Sequence, residues 1–267
     1  MTALETRLRE RRAAGRSLLV PYVTAGVGAD WLDHARAWAD AGADAIEIGL
    51  PFSDPMLDGT PVQQASQRAL DRGTTVTSAM DEAAGLTFDV PLVAMTYTNV
   101  VMRRGREEFC HRLRAAGFAG LIVVDTPYDE GEPLTRVAGP ELALVRMIAP
   151  STPSRRVQEI VGSGRGFVYA ASVMGTTGER DGLPPAAVDL IARTRPHTTL
   201  PVLLGFGIST PEDAARAARV ADGVVVGSAL MRRVLAGAGP AETAAVVARL
   251  RAALDDGDRE AREQEDR

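Results

Sequence analysis

The feature that most restricts this chain is a recurrence. Short, almost continuously apolar runs return along its 267 residues, separated by stretches with helical spacing. The runs are Ser17–Thr24, Ala43–Leu50, Val90–Tyr97, Gly120–Pro127, Leu142–Pro150, Arg165–Ser172, Leu200–Gly207 and Ala221–Ser228. Within them IVVD, FVYAA, VLLGFG and GVVVGS are apolar on successive rather than alternate residues. A strand reads that way when both faces are covered, as in a parallel sheet flanked by helices, whereas a hairpin with one wet face alternates. Between the runs lie helix-start signals. Thr210-Pro211-Glu212-Asp213 offers a cap, a first-turn proline and two acids ahead of Ala214, Ala217 and Ala218, and Thr152-Pro153 does the same ahead of Val157, Ile160 and Val161. Eight strands with intervening helices at this length predict one domain over residues 1–267, a single (β/α)8 TIM barrel. Met1–Arg12 alternates leucine with charged residues and predicts an extra N-terminal helix. Asp255–Arg267 is almost wholly charged and predicts a frayed helix end or a disordered tail.

Composition narrows the function by exclusion. All 30 basic residues are arginine, since the sequence contains no lysine. A Schiff base with a carbonyl substrate, a bound pyridoxal phosphate and a Walker-type phosphate loop each need an amine that a guanidinium cannot replace. The net charge of -5 is spread without a basic stripe, so nucleic acid is not expected as a partner. No stretch of about 18 apolar residues is present to span a bilayer, so no membrane association is expected. Cys110 cannot pair within the chain, which predicts a reducing, cytoplasmic setting. His34, His111 and His197 are scattered without ligand spacing, so no metal site is expected.

In such a barrel the chemistry sits where the strands end. Glu47 lies inside an otherwise apolar strand, where burial would favour the neutral acid and tune it for proton transfer near neutral pH; an acid satisfied by a neighbour reads the same way. The following loop adds Asp54 and Asp58 among prolines, a pattern that turn chemistry also produces. Glycines close the last two strands in Gly205-Phe206-Gly207-Ile208-Ser209 and Gly227-Ser228-Ala229-Leu230, the places where barrels hold phosphate on backbone amides and a helix N-terminus. Gly175-Thr176-Thr177-Gly178-Glu179-Arg180 after the sixth strand suits either a closing lid or a plain surface loop.

These residues carry a resemblance. The run ADAIEIGLPFSDPMLDGTPVQ from Ala43 to Gln63 closely resembles the signature of the tryptophan synthase alpha subunit family. MTYTN, VVDTP, GTTG, GFGIS and VVGSAL follow in the order and spacing of its other motifs, over nearly the whole chain. The resemblance implies a lyase that splits indole-3-glycerol phosphate into indole and glyceraldehyde 3-phosphate by a retro-aldol reaction. It also implies a beta-subunit partner in an alpha2beta2 assembly, with pyridoxal phosphate on the partner and no cofactor on this chain. By motif matching, Glu47 takes the acid/base position and Asp58 that of the carboxylate facing the indole N–H. Tyr22, Tyr97, Tyr169 and Phe206 would line the indole pocket, although ordinary core packing also explains such aromatics. Gly178, Gly207, Gly227 and Ser228 would hold phosphate, and Asp125 and Thr177 would support Asp58, the lid or the site's geometry. Three positions depart from the family's usual pattern. Thr60 precedes Pro61 where proline is usual, Leu57 replaces alanine, and Val100 stands where proline often follows the asparagine. They bear on the partner, so a stand-alone lyase releasing indole to another pathway is the alternative. Loss of a carboxylate would have favoured a non-catalytic, partner-activating barrel, and both carboxylates are present. A phosphosugar isomerase on the same scaffold stays open because fold does not fix function.

Overall fold

The structure is a computed structural model that describes residues 1–171, 183–205 and 207–265. Its strands are β1 (Leu18–Thr24), β2 (Ile46–Gly49), β3 (Leu92–Thr96), β4 (Phe118–Val123), β5 in two pieces (Ala143–Leu144 and Arg146–Ile148), β6 (Val168–Ala171), β7 (Val202–Gly205) and β8 (Gly223–Val226). Every pairing is parallel, and β1 pairs with both β2 and β8. The two ends of the strand order are the two pieces of β5, which only Val145 separates. One strand therefore joins both ends of the sheet and the barrel closes, with the Val145 amide still donating to the Leu121 carbonyl at 2.9 Å.

Two apolar layers explain the continuous runs. Leu18, Val20, Ala45, Val93, Ile122, Ala143, Val145, Phe167, Leu203 and Val225 meet in one buried cluster, joined by Leu4 and Leu8 of α1 (Ala3–Ala13). Their neighbours on the same strands, such as Leu19, Ile46, Ala94, Leu121 and Val224, pack in a second cluster with residues of the surrounding helices, including Trp31 and Trp38 of α2 (Trp31–Asp40). Period-2 alternation sends successive apolar residues to opposite faces, and both faces are dry. The expected N-terminal helix is thus a plug: Thr2 caps it, and its two leucines reach the barrel interior.

Helix starts follow the sequence unevenly. Thr210 and Asp213 form the expected reciprocal cap, with Pro211 in the first turn. Thr152 does not cap the helix after Pro153; its hydroxyl accepts the Ala149 amide at 3.0 Å and closes the turn after β5 instead. The charged C-terminal segment is helical through Glu265, as the end of the helix Pro240–Glu265. It is tied down where Asp258 accepts the Ser17 amide at 2.8 Å and the Ser17 hydroxyl at 2.6 Å. None of the helices among the described residues is long and apolar enough to cross a membrane.

Candidate active site

Glu47 is 1% exposed and stands on the inner face of β2, two residues beyond Ala45 of the interior cluster. Its Oε2 has no hydrogen-bond partner among the described residues. A buried carboxyl left without a donor is costly to ionise, and burial, with the Asp58 charge nearby, pushes its pKa up to about 8. Asp58 lies in the loop after β2, which Pro51 and Pro55 stiffen. Burial raises it to about 6 while a hydrogen bond from Tyr97 pulls it back, the phenol lying 3.0 Å from Oδ2. The pair is split by environment: Asp58 ionises first and Glu47 keeps its proton through neutrality.

The aromatic expectations separate. Tyr22 pairs with Glu47 in the β1–β2 register, and its hydroxyl lies 3.0 Å from that of Thr24. A side-chain carbon on Gly49 would come within 2.0 Å of that phenol oxygen, so Gly49 is what admits Tyr22 above Glu47. Gly205 does the same for Tyr169, whose ring occupies the space a Cβ would need at 2.3 Å. Burial first, and then the charges of Asp58 and Glu47, hold both phenols well above the usual tyrosine range. Tyr97, 3% exposed, stacks on Phe52 with ring centres 4.9 Å apart and engages the Asp58 loop through its hydroxyl. One small cavity is lined by Tyr22, Gly49, Phe52, Asp58, Thr96 and Tyr97. Motif matching singled out neither Phe52 nor Thr96; the only hint in the chain was that each lies inside a quoted motif, as do Gly49 and Gly205.

Asp125 sits beyond the end of β4, two residues past Val123. It accepts from the Thr98 amide at 2.6 Å and the Thr98 hydroxyl at 2.9 Å, fixing the residue next to Tyr97. Ser228 opens the helix Ser228–Leu235, and Gly227 precedes it. The Leu230 and Met231 amides both turn back to the Gly227 carbonyl, whereas those of Ser228 and Ala229 find no backbone acceptor among the described residues and can meet an anion. A Cβ on Gly59 would stand 3.3 Å from the Ser228 hydroxyl, which puts this helix start beside the Asp58 loop. Gly207 is exposed at φ +81°, a conformation that favours glycine. Thr177, Gly178 and Phe206 lie outside the described residues, as does the whole Gly175–Arg180 segment. No group of three or more possible metal ligands occurs among the described residues.

The chain matches the model of one family, Tryptophan synthase alpha chain, over residues 8–258. Among curated proteins it is 44% identical over 239 residues to a tryptophan synthase alpha chain of Nitratidesulfovibrio vulgaris, covering 88% of this chain and 93% of that one. It is 43% identical over 228 residues to the one from Chloroflexus aurantiacus, covering 83% and 86%. Among solved structures, a chain of tryptophan synthase from M. tuberculosis superposes with a TM-score of 0.86 at 32% identity, over 95% of this chain and 98% of that one.

Proposed function

This chain belongs to the tryptophan synthase alpha chain family, and on that premise we propose that Glu47 and Asp58 are the two carboxyls that cleave its substrate. The protein is a carbon-carbon lyase, the alpha subunit that converts indole-3-glycerol phosphate to indole and glyceraldehyde 3-phosphate. Breaking the bond between the indole C3 and the glycerol chain requires somewhere for its electrons to go. With no lysine to form an imine, the ring itself is the sink once C3 is protonated. Neutral Glu47 supplies that proton, leaving a carboxylate and an indolenine cation. The Glu47 carboxylate then takes the proton from the side-chain hydroxyl, the carbon-carbon bond breaks, the aldehyde forms and the electron pair returns aromaticity to the ring. Glu47 ends the cycle protonated, as it began. Asp58, ionised, faces the ring N–H and stabilises the cation. Tyr22 and Tyr169 wall the pocket, and the Ser228 and Ala229 amides with the Ser228 hydroxyl take the phosphate.

The observation that carries this assignment is the enclosed Glu47 carboxyl, whose Oε2 has no hydrogen-bond partner among the described residues, within the field of Asp58. It sets a pH window: kcat/KM for indole release rises as Asp58 ionises near 6 and falls as Glu47 loses its proton near 8. A profile flat from pH 5 to 9 would remove the pair from the chemistry.

The partner is the beta subunit, two copies of each chain, with pyridoxal phosphate on the beta side. Met56 and Leu57 are exposed at 80% and 53% on the loop after β2, and Met102 at 44% at the end of the helix Thr98–Met102 that follows β3. A groove of ≈ 610 Å³ is lined by Phe52, Asn99, Val100 and Arg103, so the departure Val100 falls in a groove a partner would cover, and the departure Leu57 is one of the exposed apolar side chains. Indole release measured with and without a cognate beta subunit tests this: strong activation marks a synthase subunit, and high unaided turnover marks a free lyase.

A further inference from the structure

The loop that carries Asp58 has little of its own to hold it. Ser53, Asp54, Met56 and Leu57 are exposed, so core packing does not fix its shape. Inside the loop the Met56 amide bonds to Asp54 and the Asp58 amide to Pro55, and Gln63 reaches back to the carbonyls of Asp58 and Pro55 at 2.8 and 3.3 Å. The Leu57 amide instead leaves the loop and donates to the Tyr97 hydroxyl at 3.2 Å. Because that amide already occupies a lone pair of the phenol, the phenol's single proton is free to go to Asp58 Oδ2, 3.0 Å away. One oxygen atom thus grips two consecutive residues of the loop.

Tyr97 is itself held on every side. It follows the last residue of β3, it is 3% exposed, and its ring lies on Phe52. The next residue, Thr98, is anchored by amide and hydroxyl to Asp125 beyond β4. A rigid path therefore runs from β4 through Asp125, Thr98 and Tyr97 to the carboxyl of Asp58. We propose that Tyr97 is a positioning residue for the reaction, its phenol clasping the Leu57-Asp58 pair so that one carboxylate oxygen is committed to the clasp and the other is presented to the substrate ring. The inference rests on the role given to Asp58 above.

The titratable groups facing Asp58 are Tyr22 from β1, Glu47 from β2, Tyr97 at the end of β3 and Tyr169 from β6, with Asp125 beyond β4 acting on Tyr97. Tyr97 is the one that donates a hydrogen bond to the carboxylate and so favours its charged form. Tyr97→Phe keeps the ring on Phe52 and deletes only the clasp.

The test is kcat and KM for indole release from pH 5 to 9 in wild type, Tyr97→Phe, Phe52→Leu and Asp58→Asn, with thermal unfolding of each. The expected result for Tyr97→Phe is a fall in kcat of about tenfold with a much smaller change in KM, as for loss of one charge-assisted hydrogen bond. Its acidic limb should move to higher pH while its melting temperature stays near that of the wild type. Phe52→Leu loosens the ring but keeps the phenol, and should leave that limb in place. An unmoved limb and unchanged kcat in Tyr97→Phe, with Asp58→Asn still crippled, would overturn the clasp and leave the role of Asp58 standing. Wild-type turnover by Asp58→Asn would overturn both.

Discussion

Asp44 and Glu47 lie three residues apart on one segment of chain, and each is 1% exposed, yet they are opposites. Asp44, just before β2, accepts the Leu19 amide at 2.9 Å and stands 3.3 Å from Arg16, 3.4 Å from Arg251 and 3.8 Å from Arg11. Burial pushes its pKa up, and the Leu19 amide and these arginines pull it back. Asp222 repeats the arrangement before β8, accepting the Val202 amide at 2.8 Å beside Arg12 and Arg195. Each carboxyl keeps one oxygen without a hydrogen bond among the described residues, but that of Asp44 faces arginines, whereas Glu47, at the other end of the barrel, has no cation among the groups that shift it. The floor of the barrel neutralises its buried carboxylates and uses them to join α1, the strand starts and the last helix. The mouth leaves its carboxyl unsatisfied, which costs stability and keeps a proton available.

This contrast can be broken by experiment. Glu47→Gln should lower kcat by about four decades, roughly 5.5 kcal/mol, because the same group serves as acid and base. It should also stabilise the fold. The folded pKa near 8 lies above the unfolded 4.5, so Glu47 costs the wild type stability as pH rises between them, a loss the variant is spared. Melting curves at pH 5 and pH 8 check this, the gain being larger at pH 8.

Asp44→Ala should do the reverse, costing about 3 kcal/mol in urea unfolding by leaving the buried Leu19 amide without its acceptor and removing a carboxylate shared by Arg16 and Arg251, while the protein that remains folded turns over normally. Equal losses of activity from Asp44→Ala and Glu47→Gln, molecule for folded molecule, would erase the distinction between the two ends. Asp58→Asn should cost at least about two decades in kcat, roughly 2.7 kcal/mol, with little change in unfolding. The smallest effect sharpens the map of the mouth. Ser228→Glu should raise KM about tenfold, roughly 1.4 kcal/mol, through repulsion of phosphate, with kcat nearly unchanged.

Much of this was legible in the chain, unevenly. The eight runs mark eight strands because dry faces on both sides leave a simple apolar signature, although β4 begins at Phe118, ahead of the run at Gly120, and ends at Val123. The break in β5 at Val145 left no mark, since Val145 is as apolar as its neighbours. Thr152 carried a cap signal that local turn geometry claimed first. At the site, Glu47 was conspicuous as an acid within an apolar run. Motif matching placed Tyr97 as a wall of the indole pocket; that its hydroxyl holds the Asp58 loop depends on two segments some forty residues apart, a relation with no local signature.

The order of residues by itself determined that the strands would be parallel and buried, and that lysine chemistry was unavailable, because both follow from side-chain type and spacing along one dimension. Only the folded barrel decided which buried acid is neutralised and which is left with a proton to give. Asp44 and Glu47 look alike as letters in the same segment, and the difference between them is made by arginines and amides that come from α1, β1 and the far C-terminal helix, brought to one end of the strand and not to the other.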